Sequence, residues 1–266
     1  MIKARQRLAT CDNLQCVYFS PNIRRKTTML VTQNVIKKAT VVDYVEQGLE
    51  RIRKHPFITE ANSRTLTKEQ AIRWIMCAGR ESRSFPDVLN NLISRSSNPR
   101  IQDILKENLK DENGDGVLEH AHFMHYLQLL DKLQVSRDEF YAYNERAGIK
   151  LALSLAYNVS VLKSEAAALG YMLINESMTT ITYSATKLAI TRYYPNLSTG
   201  FFDIHVDVDE EHVDELYKAV DELDASQLDD LLYGIDLGER GMAVLLDEAY
   251  GIFENYDKIP SYTTAI

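Results

Sequence analysis

The sequence predicts an all-α fold, a compact bundle of helices, on three observations. Only 11 Gly and 6 Pro occur in 266 residues, so long stretches run without the punctuation that a many-turned β fold needs. Apolar residues recur at three- and four-residue spacing with charges between them. A third sign is a capping pattern, Thr67-x-x-Gln70, standing directly before an apolar run.

The elements follow in chain order. Between Val41 and Lys54 the positions Val42, Tyr44, Val45, Leu49 and Ile52 form one helical stripe. The Thr67 box opens a second helix through Trp74, Met76 and Cys77. Further helices are expected at 87–95, 100–110, 118–133, 136–144, 149–174, 178–192, 199–225 and 226–253. Residues 1–40, of mixed polarity and no clear period, read as an N-terminal extension; 41–258 form the helical domain and 259–266 a short polar C-terminal tail.

Composition removes several functions. The chain carries 38 acidic and 30 basic residues, a net charge of −8, which gives no footprint for nucleic acid and no basic patch for an anionic membrane. No apolar run approaches the roughly 18 residues of a membrane span, and the basic start leads into no apolar signal core. Three cysteines, Cys11, Cys16 and Cys77, are too few for a disulfide framework and fit a reducing compartment, so a cytoplasmic protein is expected.

The histidines carry the functional signal. Five of six fall in two segments, and His205, Asp209 and His212 stand at i, i+4 and i+7, within about 60° of one another on a helix. Imidazole and carboxylate on one inward stripe suit iron or manganese. In the earlier segment Glu119 and His122 form a Glu-x-x-His pair, the spacing used by helical di-iron carboxylate proteins. Glu176 is the first acid after a run of ten uncharged residues; buried alone it would cost several kcal/mol, which a metal would offset. Its structural alternative is a hydrogen bond to Tyr171 or Tyr183. Asp111-x-Asn113-x-Asp115-Gly116 imitates the start of a calcium loop, but His122 stands where the bidentate glutamate belongs, so calcium is not expected.

These residues resemble the haem-oxygenase-like di-iron oxidases and oxygenases, iron-containing relatives of the thiaminase-type and pyrroloquinoline-quinone-synthase folds. The resemblance rests on Phe85-Pro86 and the residues to Ile93, on Glu107 to Gly114, on the helix starting at His122, on Ala168 to Glu176, and above all on Phe202-x-x-His205-x-x-x-Asp209-x-x-His212. It covers residues 70 to 220 and implies a haem-oxygenase-like bundle. The iron ligands it implies are His122, Glu176, His205, Asp209 and His212, with one carboxylate upstream of His122. Glu112, Asp115 and Glu119 stand open for that place: Gly114 and Gly116 interrupt the helix and favour Glu119, while Glu112 matches the family's Asp-Glu-x-Gly segment. Glu81 is a further candidate, because some members recruit an additional glutamate.

The resemblance implies two irons per chain, cycling between Fe(II) and Fe(III), with O2 as co-substrate. The reaction expected is C–H abstraction, oxidative C–C cleavage or N-oxygenation of a small amino-acid-like or carboxylic-acid substrate in a biosynthetic pathway. Arg73, Arg80, Arg83 and Lys187 are candidates to hold a substrate carboxylate, and each has an ordinary solvated role as its alternative. The partners expected are the small molecule and O2, with no nucleic acid or membrane, and a homodimer is allowed. One rival is a metal-free thiaminase-like enzyme or cofactorless oxidase on the same fold, for which Cys77 would be the nucleophile. Another is a non-catalytic helical interaction protein.

Overall fold

A computed structural model describes the backbone of residues 21–198 and 200–253, and the side chains among these outside 21–36 and 204–210. The described residues contain ten α-helices: α1 Pro21–Arg53, α2 Pro56–Asn62, α3 Lys68–Arg95, α4 Pro99–Glu112, α5 His122–Leu133, α6 Arg137–Tyr141, α7 Ala147–Leu162, α8 Glu165–Tyr193, α9 Gly200–Asp221 and α10 Leu228–Tyr250. Among the described residues there is no strand, and no helix is long and apolar enough to cross a membrane.

Several boundaries follow from local chemistry. At Thr67 the expected capping box forms, with Gln70 N donating to Thr67 Oγ1 at 3.1 Å and Thr67 N to Gln70 Oε1 at 2.9 Å. The helix it opens does not stop before residue 87 but runs through Pro86 to Arg95. Pro86 has no N–H to close onto the carbonyl of Ser82, a loss of about 3 kcal/mol in an ordinary helix interior. Here Asn90 Nδ2 donates to Pro86 O at 2.9 Å, and the ladder resumes.

The single helix expected over 149–174 is two. The break falls at Lys163-Ser164, where Ser164 Oγ accepts from Ala167 N and starts α8. Conversely α8 does not end near residue 175. Its polar side chains there bond back into the helix, Asn175 Nδ2 to Tyr171 O at 2.8 Å and Ser177 Oγ to Leu173 O at 2.6 Å, so they fit without a break. At the other end of the chain α1 crosses the boundary expected at residue 40. Lys37 is buried and its Nζ donates to Val220 O and Leu223 O, meeting the carbonyls around the end of α9 with a cation. Residues 1–20 and 254–266, which include Cys11, Cys16 and the tail, lie outside the described residues.

Helices α8 and α10 form the central pair, with α9 and α1 against α8, and α3 and α7 against α10. The pair is laced by glycines. A Cβ on Gly234 would stand 1.8 Å from Ala167 O, and one on Gly170 2.1 Å from Leu231 O, so backbone meets backbone and no larger residue fits. Around this seam Trp74, Tyr126, Phe57, Phe140 and Phe202 are the largest fully buried side chains, each removing on the order of 150–250 Å² from water.

Candidate metal centre

The site begins where α4 ends. Beyond Glu112 the chain reverses through three consecutive left-handed residues, Gly114, Asp115 and Gly116, with φ of 74°, 51° and 83°. A Cβ at Gly114 would lie 2.4 Å from both Ala121 N and Val117 O, so the turn closes only on glycine. A 3-10 turn, Leu118–His120, follows, and α5 opens at His122. The reversal sets the last residue of α4 against the first of α5: His122 Nδ1 stands 3.0 Å from Glu112 Oε1, both side chains buried.

This geometry corrects the helical argument for Glu119. The glycines do interrupt the helix, but they fold the chain back instead of starting a new helix early. Glu119 sits exposed on the 3-10 turn, on a different element from His122, and lines none of the cavity. Asp115 is also outward, paired with Lys110 at 3.3 Å. Of the three open carboxylates, Glu112 is the one brought to His122.

From the opposite wall α8 contributes Glu176, only 6% exposed, whose Oε1 accepts from Asn108 Nδ2 at 3.2 Å. Helix α9 contributes His212, 5% exposed, with Nε2 3.3 Å from Asp111 Oδ2. Its other nitrogen, Nδ1, faces Glu176 Oε1 at 3.9 Å, too far for a hydrogen bond. Among the described residues neither His212 Nδ1 nor the buried Asn108 Oδ1 has a hydrogen-bond partner. His205 and Asp209 lie on the same helix as His212, toward its N-terminus, and their side chains fall outside the described residues. Glu81, from α3, joins Glu112, His122 and Glu176 around a cavity of about 70 Å³, lined also by Phe85, Tyr183 and Met242.

The electrostatics of the cluster are those of a site short of positive charge. No lysine or arginine lines the cavity. Burial, and then the charge of Glu176, pushes the Glu81 carboxyl up to about 7. Burial also raises Glu176, against the pull of His212, and the charge of Glu112 raises it further. For His122 burial acts downward, but the hydrogen bond and charge of Glu112 outweigh it and the imidazole is held above its usual value. Glu81, Glu176 and His122 are all shifted toward the protonated form, whose proton a bound cation would replace. The donor set of imidazole nitrogens and carboxylate oxygens fits iron. Among the described residues, however, no three such side chains converge into a finished coordination shell.

The remaining candidates have structural work. Arg80 is buried, not solvated; it donates to Phe140 O at 2.7 Å, lies 4.5 Å over the Phe140 ring and pairs with Glu145. Arg73, also buried, reaches Glu69 and the carbonyls of Glu248 and Ala249. Arg83 lies over the Tyr141 ring, and Lys187 pairs with Asp203. His55 caps α2 through Nδ1 and meets Asp247 through Nε2. Cys77 is fully buried, and burial pushes its thiol far up, the state of an inert packing residue. Asp111 and Asn108 are functional neighbours the sequence reading missed. The available signal was the spacing 108, 111, 112, which puts Asn, Asp and Glu on one face of α4.

The model of a family described as iron-containing redox enzymes matches residues 81–238, a span that includes Glu81, Glu112, His122, Glu176, His205, Asp209 and His212. The chain belongs to this iron-containing redox enzyme family. No curated protein matches it. As a family member its fold is haem-oxygenase-like, in line with solved structures. A protein of unknown function with a heme oxygenase-like fold from Shewanella denitrificans superimposes with a TM-score of 0.69 at 15% identity, covering 84% of this chain and 96% of that one. A CADD-like protein of unknown function from Nostoc punctiforme gives 0.67 at 14% identity, over 81% and 99%. A TenA homologue from P. horikoshii gives 0.62 at 15%, over 80% and 98%.

Proposed function

We propose that this protein is a non-haem di-iron, O2-dependent oxidase or oxygenase acting on a small amino-acid-like or carboxylic-acid substrate in a biosynthetic pathway. The observation that carries the reading is the buried carboxyl of Glu176 facing, at 3.9 Å, the Nδ1 of buried His212, which has no partner among the described residues. A folded protein leaves such a pair open where a ligand belongs between them. Glu112, His122, Glu176 and His212 would hold the iron, joined by His205 and Asp209 from α9, with Glu81 as the additional carboxylate. Bound there, ferrous iron supplies the electrons for O2 activation, chemistry that no side chain supplies.

The chain's own residues then prepare that site. Asp111 accepts from His212 Nε2–H, which fixes the tautomer that leaves a lone pair on Nδ1, facing Glu176. Asn108 donates to Glu176 Oε1 and leaves Oε2 free to bind. Phe85, Tyr183 and Met242 give the small cavity an apolar side beside its carboxylates.

Anaerobic titration of the metal-free protein with ferrous ion, followed by O2 and candidate substrates, tests the proposal. Two irons per chain and substrate-dependent O2 consumption are expected. Binding that survives in the double variant His205→Ala, His212→Ala overturns it.

A further inference from the structure

The cluster has a second face. Opposite the small cavity, between α4 and α9, runs a groove of about 720 Å³ whose floor includes His212 and Asn108. Its walls carry Asp103, Glu107, Asp111, Glu211, Asp214 and Glu215, six carboxylates, against two lysines. The lysines are already engaged, Lys106 with Asp103 at 3.2 Å and Lys218 with Glu215. Glu211 and Asp214 have no cation within 4 Å among the described residues, and Asp111, half exposed, bridges the mouth to buried His212. Two buried atoms of the cluster without a partner among the described residues, His212 Nδ1 and Asn108 Oδ1, belong to side chains of this floor.

Resting on the reading of the cluster as an iron centre, we infer that this acidic groove is the route by which divalent cations reach it. The carboxylates do not chelate: among the described residues no three of them converge. Their part is to raise the local cation concentration and to direct diffusion toward Asp111 and His212, as a cleft lined with one sign of charge does. The small cavity on the other face has no comparable wall, since its carboxylates belong to the cluster itself. The groove therefore acts on the rate of loading and leaves the final occupancy to the buried ligands.

The test mixes metal-free full-length protein anaerobically with ferrous ion, or with cobalt(II) as a coloured probe, and follows loading by stopped flow. The variant Glu107→Gln, Glu211→Gln, Asp214→Asn removes three groove charges at exposed helix positions. A control, Asp43→Asn, Asp131→Asn, Asp230→Asn, removes three exposed charges elsewhere, so overall charge is matched. The groove variant should load about tenfold more slowly at low ionic strength, reach the wild-type stoichiometry, and lose the salt dependence that wild type and control share. Equal rates for groove variant and control overturn the inference while the iron centre stands. So does a groove variant that loads normally but no longer binds a primary alkylamine probe, which would make the groove a site for organic cations. Wild-type protein that binds no iron overturns the iron reading and the route with it.

Discussion

Two of the glutamates buried in this bundle, Glu248 and Glu176, are treated in opposite ways. Glu248 on α10 is fully buried and fully partnered: Oε1 accepts from Tyr143 Oη at 2.9 Å and Arg146 N at 3.0 Å, and Oε2 accepts from Ile149 N at 2.7 Å. It caps α7 from another helix, supplying the negative group that the α7 N-terminus lacks within its own sequence. Glu176 on α8 has a single short contact, to Asn108, and faces an imidazole nitrogen it does not reach. The contrast separates a saturated carboxyl from one with capacity left to bind. A carboxylate met by donors on both oxygens has nothing left to bind, whereas one that is buried and under-partnered keeps its capacity for a ligand.

The largest effect that would break this comparison is at Glu248. Glu248→Ala leaves two backbone N–H groups and a phenol without partners and should cost about 3 to 5 kcal/mol of stability in chemical denaturation. If the loss is no larger than at a surface site, Glu248 is not a cap.

Glu176→Gln should act in the opposite direction on the metal-free protein. Because burial raises the Glu176 carboxyl, the folded state holds its proton to higher pH than the unfolded chain does. Stability therefore falls as pH rises from the ordinary carboxylate range through the raised value. The variant should gain about 1 to 2 kcal/mol at neutral pH, with the gain vanishing below the ordinary range, and should lose iron. A pH-independent difference, or a loss of stability, removes the distinction between the two glutamates.

The smallest effect is expected at Glu119, exposed on its 3-10 turn. Glu119→Gln should shift stability by less than about 0.5 kcal/mol and keep wild-type iron stoichiometry, while Glu112→Gln lowers it. Iron loss in Glu119→Gln would mean that the turn rearranges when metal binds.

How much of this could be read from the chain depends on whether the signal was local. The Thr67 capping box is local and was legible, as was Glu176, whose isolation among uncharged residues is a property of the sequence around it. Helix ends at Pro86 and Ser164 were misjudged because burial of residues on both sides of Pro86, Arg80 before it and Val88 and Leu89 after it, keeps one helix running through the proline, and Ser164 acts as a cap without a glutamate three residues on. The pairing of Glu112 with His122 was legible only as one of three alternatives. It is decided by the left-handed run at Gly114, Asp115 and Gly116, which turns the chain back on itself. Asp111 is legible only as one of three polar residues on a face of α4; what it does there comes from His212, 101 residues away.

The glycine seam between α8 and α10 ties these two acids together. One helix carries Glu176 and the other Glu248 and Met242, which lines the cavity. A Cβ at Gly234 would stand only 1.8 Å from the facing backbone, so any bulkier residue there would push the two helices apart. Residues with no reactive group thus set the terms on which this bundle can diversify. The wall bearing Glu176 is held by backbone against backbone, a contact that no side chain at Gly170 or Gly234 preserves.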